Sequence, residues 1–135
     1  MGQQQLLLIV LGIMLIGIAI IVGISLFKTN AVEVKRNNII NDCINLATLA
    51  QQHYRKPGAI GGGSKSFDGS TGGAAVTWEI PSGLTINENG WYKIANISKD
   101  QLVIVGTGNE VVTGSDSVQV SVTITPHDYT TVVIH

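Results

Sequence analysis

The sequence is poor in cysteine and in charge. Cys43 is the single cysteine among 135 residues, which excludes an intrachain disulfide and a cysteine-based zinc site. Only 13% of the residues are charged, and basic residues occur at most in adjacent pairs such as Lys35-Arg36. Phosphate backbones are bound through concentrated positive charge, so nucleic acid is not an expected partner.

Residues that carry catalytic or metal-binding chemistry are also sparse. The three histidines fall on different predicted elements, without cysteines or clustered carboxylates nearby: His53, His127 and His135. Four aspartates fall in predicted turns, where aspartate bonds local backbone: Asp68, Asp100, Asp116 and Asp128. The segment Gly63-Ser64-Lys65-Ser66 lacks the Gly-Lys adjacency of a phosphate loop and follows a helix rather than a strand. We expect no catalytic site, no cofactor and no bound metal.

The charge that is present lies in one part of the chain. All eight basic and nine acidic side chains occur from Lys28 onward, and residues 1–27 carry none. The remaining 108 residues have an ordinary polar balance and are enough for one domain. The chain therefore combines an apolar N-terminal segment with a single polar domain.

Residues 6–27 form one long apolar run, LLLIVLGIMLIGIAIIVGISLF. As a helix the run would reach roughly 33 Å, which matches a bilayer hydrocarbon core of about 30 Å. A removed export signal is the alternative, but no basic residue precedes the run, and Phe27-Lys28-Thr29-Asn30 is a poor cleavage site. We expect a retained helix that spans a membrane.

The helix is predicted to continue beyond the apolar run, from about residue 3 to residue 56. No proline or glycine occurs between Lys28 and Lys56, and Pro57-Gly58 then ends the helix. Residues 28–56 form an amphipathic half, with apolar residues at helical spacing: Ile40, Cys43, Ile44, Ala47, Ala50 and Tyr54. Cys43 lies on this apolar side and is interpreted as a small buried hydrophobe.

The third region, residues 57–135, is predicted to be a glycine-rich loop followed by an antiparallel sheet. Residues 58–74 hold seven glycines, with one anchor point at Phe67. Apolar residues then alternate with polar ones, typical of strands. The strand segments are 76–80, 84–86, 91–97, 101–105, 118–124 and 129–134, with a turn at 106–109. We expect an α+β fold in which the helix packs on five to seven short strands.

Small residues interrupt the apolar run at Gly12, Gly17, Ala19 and Gly23. Small residues let membrane helices approach one another closely, although glycine is also common in membrane helices in general. We expect these four positions to contribute to helix association.

Three features occur together in this chain: the stretch GQQQLLLIVLGIMLIGIAI, the stretch AQQHYRKPGAIGGGSKSF at the helix exit, and the order of helix, glycine-rich loop and sheet. In these features the sequence resembles the type IV pilin superfamily. The resemblance implies cleavage by a prepilin peptidase after Gly2, which makes Gln3 the mature N-terminus. It also implies a precursor in the bacterial inner membrane, pilus assembly machinery, and a surface filament of identical copies whose apolar helices form the core.

The N-terminal residues depart from the pilin pattern. Pilins usually carry a glutamate at the fifth mature position, where this chain has Leu7 if numbered from Gln3, or Gln5 if numbered from Met1. We hypothesise that Gln3, Gln4 and Gln5 supply uncharged hydrogen-bond partners during assembly.

Three functions agree with these features. The first is a structural subunit of a pilus-like filament that serves adhesion, motility or attachment. The second is a minor pilin or a type II secretion pseudopilin. The third is a membrane-anchored sheet domain that binds a partner.

The orientation of the chain in a membrane is predicted differently by two criteria. The basic residues Lys28, Lys35 and Arg36 follow the apolar run, so the positive-inside rule alone predicts a cytoplasmic sheet. The pilin resemblance requires the opposite orientation.

Overall fold

A computed structural model describes residues 2–114 and 116–134 of the chain. Within these residues the chain forms one long helix, a short 3-10 turn and a four-stranded antiparallel sheet, which confirms the predicted α+β class. The elements are α1 (Gly2–Arg55), the 3-10 turn (Gly58–Ile60), β1 (Gly90–Ile97), β2 (Leu102–Thr113), β3 (Asp116–Ile124) and β4 (Tyr129–Val133).

Helix α1 runs without interruption through both the apolar and the amphipathic halves. Its 54 residues give a length of about 81 Å. The side that packs on the sheet is centred on five buried residues: Ile39, Cys43, Leu46, Ala47 and Ala50. The predicted apolar face included three of these residues, whereas its Ile40 and Tyr54 are only partly buried. The helix is thus rotated slightly from the predicted orientation, because Ile39 and Leu46 reach the sheet more directly.

The glycine-rich loop closes the C-terminal end of α1. The last carbonyl groups of a helix have no partner within the helix. Here the backbone N–H groups of Gly63 and Lys65 donate to the carbonyls of His53 at 2.9 Å and Tyr54 at 2.8 Å. A Cβ on Gly63 would lie 1.9 Å from the carbonyl oxygen of Ser66, so only glycine allows the loop to fold back this closely.

The sheet is a meander with the strand order β1-β2-β3-β4. Along β3, exposure alternates as expected for a strand with one face on a core. The inward-facing residues of β3 are fully buried under the helix: Val118, Val120, Val122 and Ile124. The alternation predicted for residues 118–124 is therefore confirmed.

The turn predicted at residues 106–109 is wrong, because this segment lies inside β2. Gly106 pairs with Tyr92 of β1 and with Val120 of β3. A Cβ on Gly106 would lie 2.6 Å from Cγ2 of Ile39, and one on Gly108 would lie 2.6 Å from Cδ1 of the same side chain. These two glycines form a shallow seat in the sheet that receives Ile39 of α1.

Two of the predicted strands are also absent from the sheet. The Val76 and Trp78 N–H groups each donate one bond to the glycine-rich loop, to the carbonyls of Gly62 and Phe67, so this segment is extended without joining the sheet. The segment 84–86 forms a single bridge, between Ile86 and Trp91. Each segment thus makes only isolated hydrogen bonds to a loop or turn, without the repeated backbone pairing of a strand. The sheet therefore has four strands rather than the predicted five to seven.

The loop after the helix also completes the core at one end of the sheet. Phe67 is fully buried, as predicted for an anchor point, and its ring lies 5.0 Å from the ring of Tyr54. Its N–H donates to the Lys99 carbonyl in the turn between β1 and β2. The loop thereby joins the helix end to the sheet.

We expect Gly106→Ala to lower the free energy of unfolding by about 1–3 kcal/mol, because the added methyl would overlap Ile39 and the Tyr92 ring. Gly83→Ala is the matched control, since a Cβ there meets nothing within 4 Å. Urea unfolding in detergent, followed by tryptophan fluorescence, measures both variants. Equal stabilities for the two variants would contradict the close seat of Ile39.

Candidate functional site

The most distinctive surface of the chain is the apolar half of α1, residues 6–27. Every large apolar side chain in this segment is exposed, from 51% at Val22 to 77% at Phe27. In the part of the chain that the structure describes, α1 is the one helix long and apolar enough to cross a membrane. The structure thus contains the predicted long apolar helix, and its length and composition suit a membrane span.

Among residues 2–114 and 116–134, no side chain of the polar domain covers this segment. The first residue of α1 that packs against the core is Val32, beyond the end of the apolar run. Because α1 continues as one helix from Gly2 to Arg55, the sheet stays beside the polar half. The apolar half must therefore be covered by something outside this chain.

Three of the four predicted small residues share one side of α1. At about 100° per residue, Gly12, Ala19 and Gly23 fall within roughly 40° of one another, and Gln5 lies on the same side. Gly17 lies between roughly 120° and 160° away from the three. A Cβ on any of the three glycines would meet nothing within 4 Å, so no contact inside this chain requires glycine there.

The three glutamines lie in the first turn of α1, and all are exposed. Being consecutive, Gln3, Gln4 and Gln5 are spread over about 200° of the helix circumference. Gln5 alone shares the side of Gly12 and Ala19. The structure therefore brings one of the three amides into line with the small residues and directs the other two elsewhere.

The basic residues after the apolar run differ in their surroundings. The Arg36 guanidinium pairs with Glu33 one turn earlier at 2.8 Å. The Lys35 ammonium donates to the Glu88 carbonyl at 3.2 Å, which ties the helix to the loop before β1. Lys28 is exposed and immediately follows Phe27, at the boundary between the apolar and polar halves.

A second polar arrangement joins the middle of α1 to the sheet. The Asp42 carboxylate accepts hydrogen bonds from the Tyr92 hydroxyl, from the Asn87 amide at 2.9 Å and from the Asn89 amide at 2.8 Å. All three bonds reach the same oxygen, Oδ2. A small cavity of about 70 Å³ beside them is lined by Asp42, Asn45, Leu46, Leu84, Asn87 and Tyr92.

The hydrogen bonds change the acidity of these groups. Burial alone would raise the pKa of Asp42, but the bonds from Tyr92, Asn89 and Asn87 outweigh it and lower the pKa. Burial and the bond to Asp42 raise the pKa of Tyr92. The carboxylate and the phenol therefore stay in the forms that bond each other. This contact fastens the loop before β1 onto the helix.

Sequence reasoning missed the contact between Asp42 and Tyr92. The turn residues 87–90, Asn-Glu-Asn-Gly, indicate a turn, and the Asn87 side chain does accept from the N–H groups of Asn89 and Gly90. The partner of this turn lies 45 or more residues away along the chain, on a different element. No local pattern could have identified it.

Cys43 is fully buried, as the sequence predicts for a small hydrophobe. Burial, with a smaller effect of the Asp42 charge, raises the pKa of its thiol to about 12. The thiolate is the reactive form of cysteine, so this thiol is chemically inert in the folded protein at neutral pH.

The histidines and aspartates make separate contacts, and Asp100 accepts from the Tyr54 hydroxyl at 3.1 Å. His53 Nε2 lies 2.6 Å from the Val76 carbonyl oxygen, His127 is exposed, and His135 lies outside the described residues. Asp68 and Asp128 accept from the nearby N–H groups of Ser70 and Tyr129. Across residues 2–114 and 116–134, no group of three or more histidine, cysteine, aspartate or glutamate side chains could hold a metal ion.

The chain matches no protein-family model, no curated protein and no solved structure, so these comparisons assign it to no family.

We expect Tyr92→Phe to lower the free energy of unfolding by about 1–2 kcal/mol at neutral pH, because the Asp42 carboxylate loses a hydrogen bond. The folded-state pKa of Asp42 is depressed, so the stabilisation is present above its unfolded pKa and is lost as the pH falls through the folded value. The two proteins should therefore converge in stability as the pH falls below the folded-state pKa of Asp42.

Asp42→Asn provides the matched background for this test. In that variant the Tyr92→Phe change should cost less, and its cost should not vary with pH, because no carboxylate is present to titrate. Urea unfolding at several pH values measures all four proteins. A cost of Tyr92→Phe that is the same at every pH in the native background would contradict the role of the Asp42 charge.

Proposed function

We propose that this chain is the structural subunit of a pilus-like surface filament and that it polymerises through the apolar half of α1. The observation that carries the proposal is the exposure of every large apolar side chain in residues 6–27, which no other described part of the chain covers. Burying each large apolar side chain there is worth about 1–3 kcal/mol. Lipid can supply this cover before assembly, and copies of the same helix can supply it afterwards.

The continuity of α1 supports polymerisation over simple membrane anchoring. The backbone passes from the apolar to the polar half without a break, and the Thr29 hydroxyl donates to the Ser25 carbonyl across the boundary. The sheet is therefore held in a fixed orientation relative to the apolar half. A regular polymer needs every subunit to have the same orientation, whereas an anchored binding domain needs only a tether.

The small residues on α1 supply a reason for helices to prefer one another over lipid. Hydrocarbon tails are as apolar as leucine, so association inside a membrane depends on close packing. The side that carries Gly12, Ala19 and Gly23 permits such an approach. We therefore expect this side to face a neighbouring helix in the filament.

The proposal includes a sequence of locations for the chain. The precursor would sit in the bacterial inner membrane, a prepilin peptidase would cleave after Gly2, and assembly machinery would move the subunit into the filament with Gln3 as its first residue. A minor pilin or secretion pseudopilin would share this geometry and would differ in forming a short assembly.

The first experiment is electron microscopy of material sheared from the native cells, with mass spectrometry of the N-terminus of the pelleted protein. We expect filaments built mainly of this chain, beginning at Gln3. Short or rare assemblies would favour the minor pilin. Recovery of the chain only from the membrane fraction, with no filaments, would contradict the proposal and favour an anchored binding domain.

A pair of adjacent substitutions tests the small side of the helix. We expect Ala19→Leu to reduce the filament yield at least tenfold, because the larger side chain blocks close approach of a neighbouring helix. Ile18→Leu is the control, since it changes shape without changing volume. Immunoblots of sheared and membrane fractions measure both variants. Normal yields from Ala19→Leu would rule out this side as a helix contact.

A further inference from the structure

The polar half of α1 has an open face directly opposite the sheet. We call its six exposed polar residues the amide face: Asn30, Asn37, Asn41, Asn45, Thr48 and Gln52. The exposed Val34 lies among them on the same side. With about 100° per residue, they fall within roughly 80° of one another on the helix circumference. Asn41 lies about 160° from the buried Ile39 and Cys43, which face the sheet.

Between Lys28 and Tyr54 the amide face carries no charged residue, although the other sides of this helix segment carry several charged residues. Glu33 and Arg36 pair with each other on one flank, Lys35 turns toward Glu88, and Asp42 bonds to the sheet. Helix faces exposed to water ordinarily carry lysine and glutamate. Asparagine and threonine are also poorer helix formers than these residues. Exposure to water therefore does not account for this composition.

We propose that the amide face is a contact surface between copies of this chain, and that its occupant is α1 of a neighbouring subunit. The inference rests on the proposed filament and extends its interface from the apolar half into the polar half of the helix. Each amide both donates and accepts hydrogen bonds, so the face can bond to polar groups on a different side of a neighbouring α1 helix. Asparagine and glutamine also bond between packed helices.

The position of the amide face supports a helical partner. It continues the side of α1 that carries Gly12, Ala19 and Gly23, because Asn30 lies within about 20° of Gly23. A neighbouring helix could therefore follow this side from the apolar half into the polar half without meeting a charge.

The size of the amide face defines how it can act. From Asn30 to Gln52 it is about 33 Å long and about 10 Å wide, or roughly 330 Å². A stable interface buries about 800 Å² per partner, so the amide face alone is too small. Together with the equally long apolar half it reaches roughly 660 Å², which approaches that size. Pairing through the amide face should thus occur only when the apolar halves are also packed.

Accessibility of an introduced cysteine tests the proposal in the full chain. Asn41→Cys places a thiol at the centre of the amide face, and Gln101→Cys places one at an exposed turn between β1 and β2. The native Cys43 is buried and contributes little background. Both variants are treated with a bulky, membrane-impermeant maleimide on spheroplasts, which expose the precursor in the inner membrane, and on sheared filaments. Labelling of denatured samples, after subtraction of the Cys43 labelling measured in the denatured native chain, is the reference.

We expect the thiol at position 41 to react freely in the membrane precursor and at least tenfold more slowly in filaments, while the thiol at position 101 reacts similarly in both. Equal reactivity of position 41 in filaments and in denatured protein would overturn the inference and leave the filament proposal intact. Protection of position 41 already in the precursor would also overturn it, since another partner would then cover the face. Absence of filaments from the native chain would instead reject the proposed function.

Discussion

The close seat of Ile39 over Gly106 and Gly108 determines how the rest of the molecule is arranged. Without a side chain on either glycine, the helix can approach β2 closely enough to bury Ile39 completely. This contact fixes the rotation of α1 about its own axis. Once that rotation is fixed, Cys43 and Ala47 must face the sheet, and Asn41 and Gln52 must face away from it.

The uninterrupted backbone of α1 carries this fixed rotation into the apolar half. A bend or a flexible link after Phe27 would let the two halves turn independently, and the side that carries Gly12 and Gly23 would have no defined relation to the sheet. Because the helix is continuous, one side is committed to the sheet and the opposite side stays available along its whole length. The proposals for assembly depend on this division.

Much of the fold could be predicted from local patterns, and the parts that could not be depend on distant contacts. Pro57-Gly58 correctly indicated the end of the helix, and the alternation from Val118 to Ile124 correctly indicated a buried strand. Gly106 and Gly108 were interpreted as a turn because glycine serves both turns and close approaches, and only the position of Ile39 distinguishes the two uses. The apolar half of α1 could likewise be recognised from composition alone. That Gly17 lies on a different side of the helix from Gly12, Ala19 and Gly23 follows only from the geometry of a continuous helix.

The sheet joins strands that are neighbours along the chain, and this order bears on how the protein folds. Three successive hairpins close only short loops, so little chain entropy is lost before their contacts form. The glycine-rich loop likewise bonds to a helix end only about ten residues before it. We therefore expect the sheet to form rapidly beside α1, which shortens the time during which unpaired strand edges could aggregate.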